Sequence, residues 1–203
     1  MSNDRGGRLV LASASASRAH LLARAGISVI VDPAVLDEDE IKASFRGPGN
    51  DAGSCAMALA EAKAAQVARR HPGVLVIGAD QMLECDGAWY DKPRDRGEAR
   101  AQLLALRGRR HELVSAICVT CDGMMLWHAI ERPRLAMRAF SDTFLDDYLA
   151  AMGDNVLRTV GGYELEGLGA QLFARIEGDY FAILGLPLLP LLDFLRGQGV
   201  ITR

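Results

Sequence analysis

The sequence has no long unbroken apolar run, no excess of positive charge and no glycine-rich phosphate loop, and each gap removes a class of protein. The apolar stretch from Phe181 to Leu195 is broken by Gly185, Pro187, Pro190 and Asp193, and it falls short of the ~20 residues that cross a bilayer. No membrane partner is expected. The polar, glycine-rich start from Met1 to Arg8, followed by an apolar run cut at Ser13-Ala14-Ser15, does not have the form of a secretory signal. A net charge of −3 provides no broad basic field for a nucleic-acid backbone. Neither G-x-x-x-x-G-K-[ST] nor G-x-G-x-x-G occurs, which excludes the kinase-type and dinucleotide-type loops. Four cysteines include one C-x-x-C pair, Cys118 and Cys121. Their odd spacing on an expected strand sends them to opposite faces. No second pair completes a zinc set, and reduced structural thiols point to a cytoplasmic protein.

What is present is a folded globular composition, 50% hydrophobic and 24% charged, in a chain of 203 residues read as one domain over 1–203. Arg8 to Ala12 reads as a buried strand. Ser13 to Ser17 offers helix caps, Arg18 to Ala25 has helical spacing, and Gly26 stops it. Ile27 to Val31 is a second strand, and Pro33 to Gly49 an irregular acidic segment. Asp51 to Arg70 is the clearest helix. Val74 to Ala79 is an apolar strand ending at Asp80, Met82 to Tyr90 a hairpin turning at Asp86-Gly87, and Arg96 to Leu106 a helix. Two long strands, Glu112 to Cys121 and Met125 to Ala139, are joined by another Asp-Gly turn. A helix over Phe144 to Ala151, a strand over Ala170 to Ile176 and a helix from Pro187 to Arg196 complete an α/β fold with a mixed, twisted sheet flanked by helices.

A strand running into a serine-rich loop and a helix N-terminus offers N–H groups, hydroxyls and a positive dipole end to an anion, with Ser13, Ser15 and Arg18 facing it. Alone, those serines are as readily plain helix caps. Asp80 stands where a buried strand is expected to end, the place where open α/β sheets put ligand-contacting groups. Glu38 in the acidic segment, Lys63 on the apolar side of its helix, and Lys92 beside Pro93 add charge at element edges. Two carboxylates and three cations suit phosphoanhydride cleavage. The carboxylates hold Mg²⁺ and align a water, and the cations neutralise charge on phosphate oxygens. His111 and Asp179 read as structural, and Trp89, Tyr163 and Phe173 as core or pocket walls.

In order along the chain, Leu9-Val-Leu-Ala-Ser-Ala-Ser15 with Arg18 and Leu21-Leu22, Asp37-Glu38, Leu59-Ala-Glu-Ala-Lys63-Ala and Ile77-Gly-Ala-Asp80-Gln81 are followed by Lys92-Pro93, Gly108 with His111, Glu166-Gly167 and Gly185-Leu-Pro187. This set resembles the Maf family of nucleoside triphosphate pyrophosphatases. The resemblance implies two lobes around a deep cleft, similar to the inosine triphosphate pyrophosphatases, and Mg²⁺- or Mn²⁺-dependent release of pyrophosphate from modified or noncanonical nucleotides. Carried over, Asp80 resembles the acidic residue that activates water or binds metal and Glu38 a second metal or water ligand. Arg18, Lys63 and Lys92 resemble the triphosphate clamp, assisted by Ser13 and Ser15.

Ala16-Ser17 and Ala19 depart from the family's Pro-Arg and following basic residue. Gln81 and Glu166 resemble the branch acting on 7-methyl-GTP rather than dTTP and UTP, although that branch commonly has an aromatic residue where Ser17 sits. A carboxylate suits a methylated, cationic guanine or its N–H donors and repels a uracil O4. A homodimer is implied by the resemblance alone. The alternative is a nucleotide-binding regulator of cell division without significant turnover; a pure binder has no need of both Asp80 and Glu38.

Overall fold

The computed structural model describes residues 8–47 and 51–202. Next to one edge of its sheet is β1 (Leu9–Leu11), three buried apolar residues that pair in parallel with the edge strand β2 (Val29–Val31) on one side and with β3 (Leu75–Cys85) on the other. A strand with both faces covered has no polar face to spare, which is why Leu-Val-Leu carries no alternation. Ser15 caps α1 (Ala16–Arg24), accepting from the Arg18 N–H at 3.4 Å, and Gly26 leaves the helix at φ 77°.

The segment expected to be irregular between Pro33 and Gly49 contains a helix, α2 (Glu38–Ser44), capped by Asp37, whose side chain accepts from the Glu40 N–H. Three acidic residues in its first turn complement the helix dipole, so the run read as breaking structure starts it. The last residues of that expected segment, 48–49, lie outside the described ones. Asp51 caps α3 (Ala52–Ala68), whose alanines let it lie close on the sheet. At Gly78 a Cβ would run into the Ala60 carbonyl oxygen.

Among the described residues eight strands run β2-β1-β3-β5-β7-β8, with β4 (Ala88–Tyr90) on β3 and β6 (Met124–Glu131) on β5. Here β5 is Arg110–Cys121, β7 Arg134–Met137 and β8 Phe173–Glu177. Both Asp-Gly turns form as expected, Asp86 and Asp122 at φ 52° and 50° and each following glycine at 79°. The long strand expected over Met125 to Ala139 is divided into β6 and β7 at Arg132-Pro133, because proline has no N–H to give the ladder. The register nevertheless carries through, Ser115 facing Glu131 before the break and Glu112 facing Arg134 after it. The strand expected from Ala170 begins three residues later, behind a short 3₁₀ turn over Leu168–Leu172.

The expectation that the apolar strand ends at Asp80 is corrected: β3 continues to Cys85, with Asp80 in its middle. One edge of β3 is occupied by β5 from Val76 to Glu84. The other edge carries β1 as far as Ile77 and β4 from Leu83 onward. Between them the edge has no strand. Asp80 is therefore beside a strand end after all, that of its neighbour β1.

Helices cover both faces of the sheet. The alanine face of α3 packs on Val10, Val76, Met82, Val114 and Cys118. On the opposite face α1 and α7 (Leu188–Gly197) bury Leu22, Leu191 and Leu195 against Leu11, Ile77 and Ile117. A third core lies under α4 (Arg96–Leu106) and α5 (Asp142–Met152), where Leu103, Leu145 and Tyr148 meet Leu83, Leu113 and Leu135. The long strands β3 and β5 contribute to all three cores. A short helix, α6 (Tyr180–Ile183), capped by Asp179, leads into α7.

Candidate active site

Two groups of side chains meet at the uncovered edge of β3. The first stands on the α3 side. Because the glycine at 78 lets α3 approach, Lys63, one turn beyond Ala60, reaches over Asp80, two residues beyond Gly78 on the same strand face. Lys63 Nζ lies 2.5 Å from Asp80 Oδ1 and 2.7 Å from Glu38 Oε1. Lys42 Nζ in turn lies 3.8 Å from Glu38 Oε2 and 2.5 Å from Asp91 Oδ1. Asp91, Lys42, Glu38, Lys63 and Asp80 thus form a chain of alternating sign, its inner end buried and its outer end half open to solvent.

Burial works against the charged form of Glu38, but the hydrogen bond and charge of Lys63, then the charges of Lys42 and Lys92, hold its carboxyl below the usual 4.5. Burial likewise opposes the Lys42 cation, and its bond to Asp91 more than offsets that, raising its pKa. Lys92 makes no hydrogen bond or ion pair among the described residues. Desolvation and the nearby Arg18 and Lys63 charges lower its pKa against the pull of Glu38 and Asp80, which places it within electrostatic reach of the whole group.

The second group lies along the segment 180–185. Arg18 donates from Nη1 to Ser13 Oγ at 2.9 Å and to the Ala79 carbonyl at 2.8 Å, and from Nε to the Gly185 carbonyl at 2.7 Å. It fills the edge that no strand covers. Burial lowers its pKa, and the charges of Asp80 and Glu38 oppose that. Gln81, alternating with Asp80 to the other face, donates to the Ala182 and Ile183 carbonyls and to Ser115 Oγ. Ser17 Oγ donates to the Leu184 carbonyl at 3.1 Å. Glu166 is exposed and accepts from the Tyr180 hydroxyl at 3.3 Å.

Of the residues singled out in the sequence, Asp80, Glu38 and Lys63 are brought into direct contact, with Lys92 and Arg18 beside them. Ser13 and Ser15 are joined to each other, the Ser15 N–H donating to Ser13 Oγ at 3.3 Å, and both are spent on Arg18. Ser17, Gln81 and Glu166 are not in the acidic group; they are gathered on the other face through the carbonyls and the tyrosine of 180–185. Sequence reasoning missed Lys42 and Asp91. The signals were there, Lys42 four residues after Glu38 on a helix face and Asp91 next to Lys92. It also missed the role of 180–185, which works through main-chain atoms that no residue pattern reports.

His111 is buried, with Nε2 2.7 Å from the Tyr163 hydroxyl and no charged neighbour, and burial lowers its pKa to about 4. It belongs to the third core, as expected of a structural residue, and so do Tyr163 and Phe173.

Asp80 and Glu38 direct oxygens at one cationic nitrogen from 2.5 and 2.7 Å. Such a pair fits a hard divalent ion that takes one or two carboxylates and completes its shell with phosphate and water. No helix among the described residues is long and apolar enough to cross a membrane.

The sequence matches the family model described as "Maf-like protein" over residues 8–198. The "Nucleoside triphosphate pyrophosphatase" of Paramagnetospirillum magneticum is 54% identical over 190 residues, covering 94% of this chain and 98% of that protein. The protein of the same name from Granulibacter bethesdensis is 52% identical over 195 residues, covering 96% and 99%. A solved nucleoside-triphosphatase (dITP/XTP pyrophosphatase) from Mycobacterium abscessus aligns over 95% of each chain with 13% identity and a TM-score of 0.41.

Proposed function

The chain belongs to the Maf-like protein family, and from that premise we propose that it hydrolyses nucleoside triphosphates to the monophosphate and pyrophosphate. The observation that carries this reading is Lys63 held between Asp80 and Glu38, with Arg18 and Lys92 beside them. Water attacks the α-phosphorus, a new P–O bond forms, the bond to the bridging oxygen breaks, and pyrophosphate leaves with the electron pair. Asp80 aligns the water and accepts its proton. Lys63 holds the Asp80 carboxylate in place for that role, and Lys63, Lys92 and Arg18 offset charge building on the phosphate oxygens. Asp80 and Glu38 are the residues that would hold Mg²⁺ or Mn²⁺, which when bound neutralises phosphate charge and orients the anhydride.

The base is read from the other face. In our reading Gln81 Oε1, Glu166 and Ser17 meet it along 180–185, and the Glu166 carboxylate favours a purine with N–H donors or a methylated cationic ring, as in 7-methyl-GTP. The names of the relatives specify no base. The alternative of a binder without turnover is disfavoured by the Asp80–Lys63–Glu38 arrangement, which exceeds what holding an anion requires.

The test is pyrophosphate release from a panel including 7-methyl-GTP, dTTP and UTP, with Mg²⁺, with Mn²⁺ and with chelator. Metal-dependent release is expected, and silence on every substrate from folded protein overturns the reading. Asp80→Asn should fold and lose roughly 10²–10⁴-fold in turnover. Glu166→Gln should move the ranking toward pyrimidines; an unchanged ranking removes Glu166 as a base reader.

A further inference from the structure

Glu38 rides on an element with little else to hold it. No residue of α2 is fully buried; Ile41 and the following Phe45 are partly buried against the core under α3. A helix of seven residues with so small an apolar anchor opens readily on its own. Its polar ties then set its position. One is Glu38 to Lys63, the contact that phosphate or metal competes for. The other is Lys42 to Asp91 at 2.5 Å, and neither of those residues is placed among the phosphate ligands.

Asp91 is fixed from behind as well. Gln102 on α4, only 8% exposed, donates Nε2 to the Asp91 carbonyl at 3.1 Å. Since Asp91 precedes Lys92 in the chain, the bond between Lys42 and Asp91 joins the helix of one site carboxylate to the loop of one site cation. We propose that Lys42 and Asp91 form a positioning strap, anchored to α4 through Gln102, that sets the separation of Glu38 and Lys92 for triphosphate cleavage. The strap rests on the reading of Glu38 and Lys92 as parts of the triphosphate site.

The Asp91 side chain is 47% exposed, and ion pairs open to water add little to global stability. The strap therefore shows itself in turnover and in local opening of α2, because small misplacements of reacting groups cost far more in rate than in folding.

The experiment compares Lys42→Met, Asp91→Ala, the double variant and Lys42→Arg by steady-state pyrophosphate release and by amide hydrogen exchange. Each single change should lower kcat roughly tenfold with a smaller change in KM. It should speed exchange over 38–44 but not over α3, and leave the melting temperature nearly unmoved. The double variant should be no worse than Lys42→Met alone, since that change already removes the tie along with the Lys42–Glu38 contact, and Lys42→Arg should retain most of the activity. Unchanged kcat and exchange in the single variants, or losses that multiply in the double, would overturn the strap. If the unaltered protein releases no pyrophosphate from any substrate, the enzymatic reading fails by itself. The exchange data then decide the strap: faster exchange over 38–44 in the singles, no faster in the double, supports it, and unchanged exchange overturns it.

Discussion

Lys63 neutralises two carboxylates from a position where its own side chain is 11% and that of Asp80 9% exposed. Removing one member of a buried pair leaves the other uncompensated, at a cost of about 3–5 kcal/mol. Lys63→Met should therefore lose about that much stability in urea, and millimolar Mg²⁺ should return part of it by taking the place of the ammonium; no difference between Mg²⁺ and chelator would argue against a metal on Asp80 and Glu38. His111 supplies a second residue-level test. Its folded pKa, about 4, lies below its usual 6.5, so between those values the unfolded chain holds the extra proton. Stability is present above pH 6.5 and lost as pH falls toward 4, by about 3 kcal/mol at 1.36 kcal/mol per unit. His111→Phe should flatten the urea midpoint between pH 7 and 4. At this scale the sequence was legible where charge sat against pattern, as with Lys63 on an apolar helix face. It was harder to read at Lys42, whose spacing of four from Glu38 counts only on a helix, where an irregular segment is expected.

Between α3 and β3, the close approach at Gly78 decides whether Lys63 can reach Asp80. A methyl group there would push against the Ala60 carbonyl, main-chain atoms that cannot swing aside. Gly78→Ala should cost about 1–3 kcal/mol and lower turnover more than that loss suggests, by lifting Lys63 off the site; thermal melts alongside pyrophosphate release separate the two. Most elements could be read from periodicity and punctuation, including both Asp-Gly hairpins. The errors have physical causes. The acidic segment after Pro33 reads as irregular, though acidic residues are what a helix N-terminus favours and three of them open α2. Asp80 was placed at a strand end because an aspartate interrupts the apolar run, but pairing with β5 carries β3 straight through it. The interruption at Pro133 carries its own signal, a residue with no N–H for the ladder, but the alternation on either side stays in phase and reads as one strand.

Across the whole molecule, β3 and β5 run through all three cores. The two ends of the sheet thus share a backbone ladder, and one cooperative transition is expected. Far-UV circular dichroism, tryptophan fluorescence from Trp89 and Trp127, and exchange protection in α5 should give coincident midpoints; an early loss of α4 and α5 would show separable lobes. The segment 180–185 has another implication at this scale. It holds Gln81, Ser17 and Arg18 through the carbonyl oxygens of residues 182–185, and every amino acid has a carbonyl oxygen. Those bonds are indifferent to which side chains occupy 182–184, while Gly185 is held to glycine by its φ of 93°, and together they fix how many residues must lie between the first and the last. Deleting one residue there would put three partners out of step at once, whereas substitutions at Phe181 or Leu184 would leave those bonds in place: up to its closing glycine, the segment is written in length, not in letters.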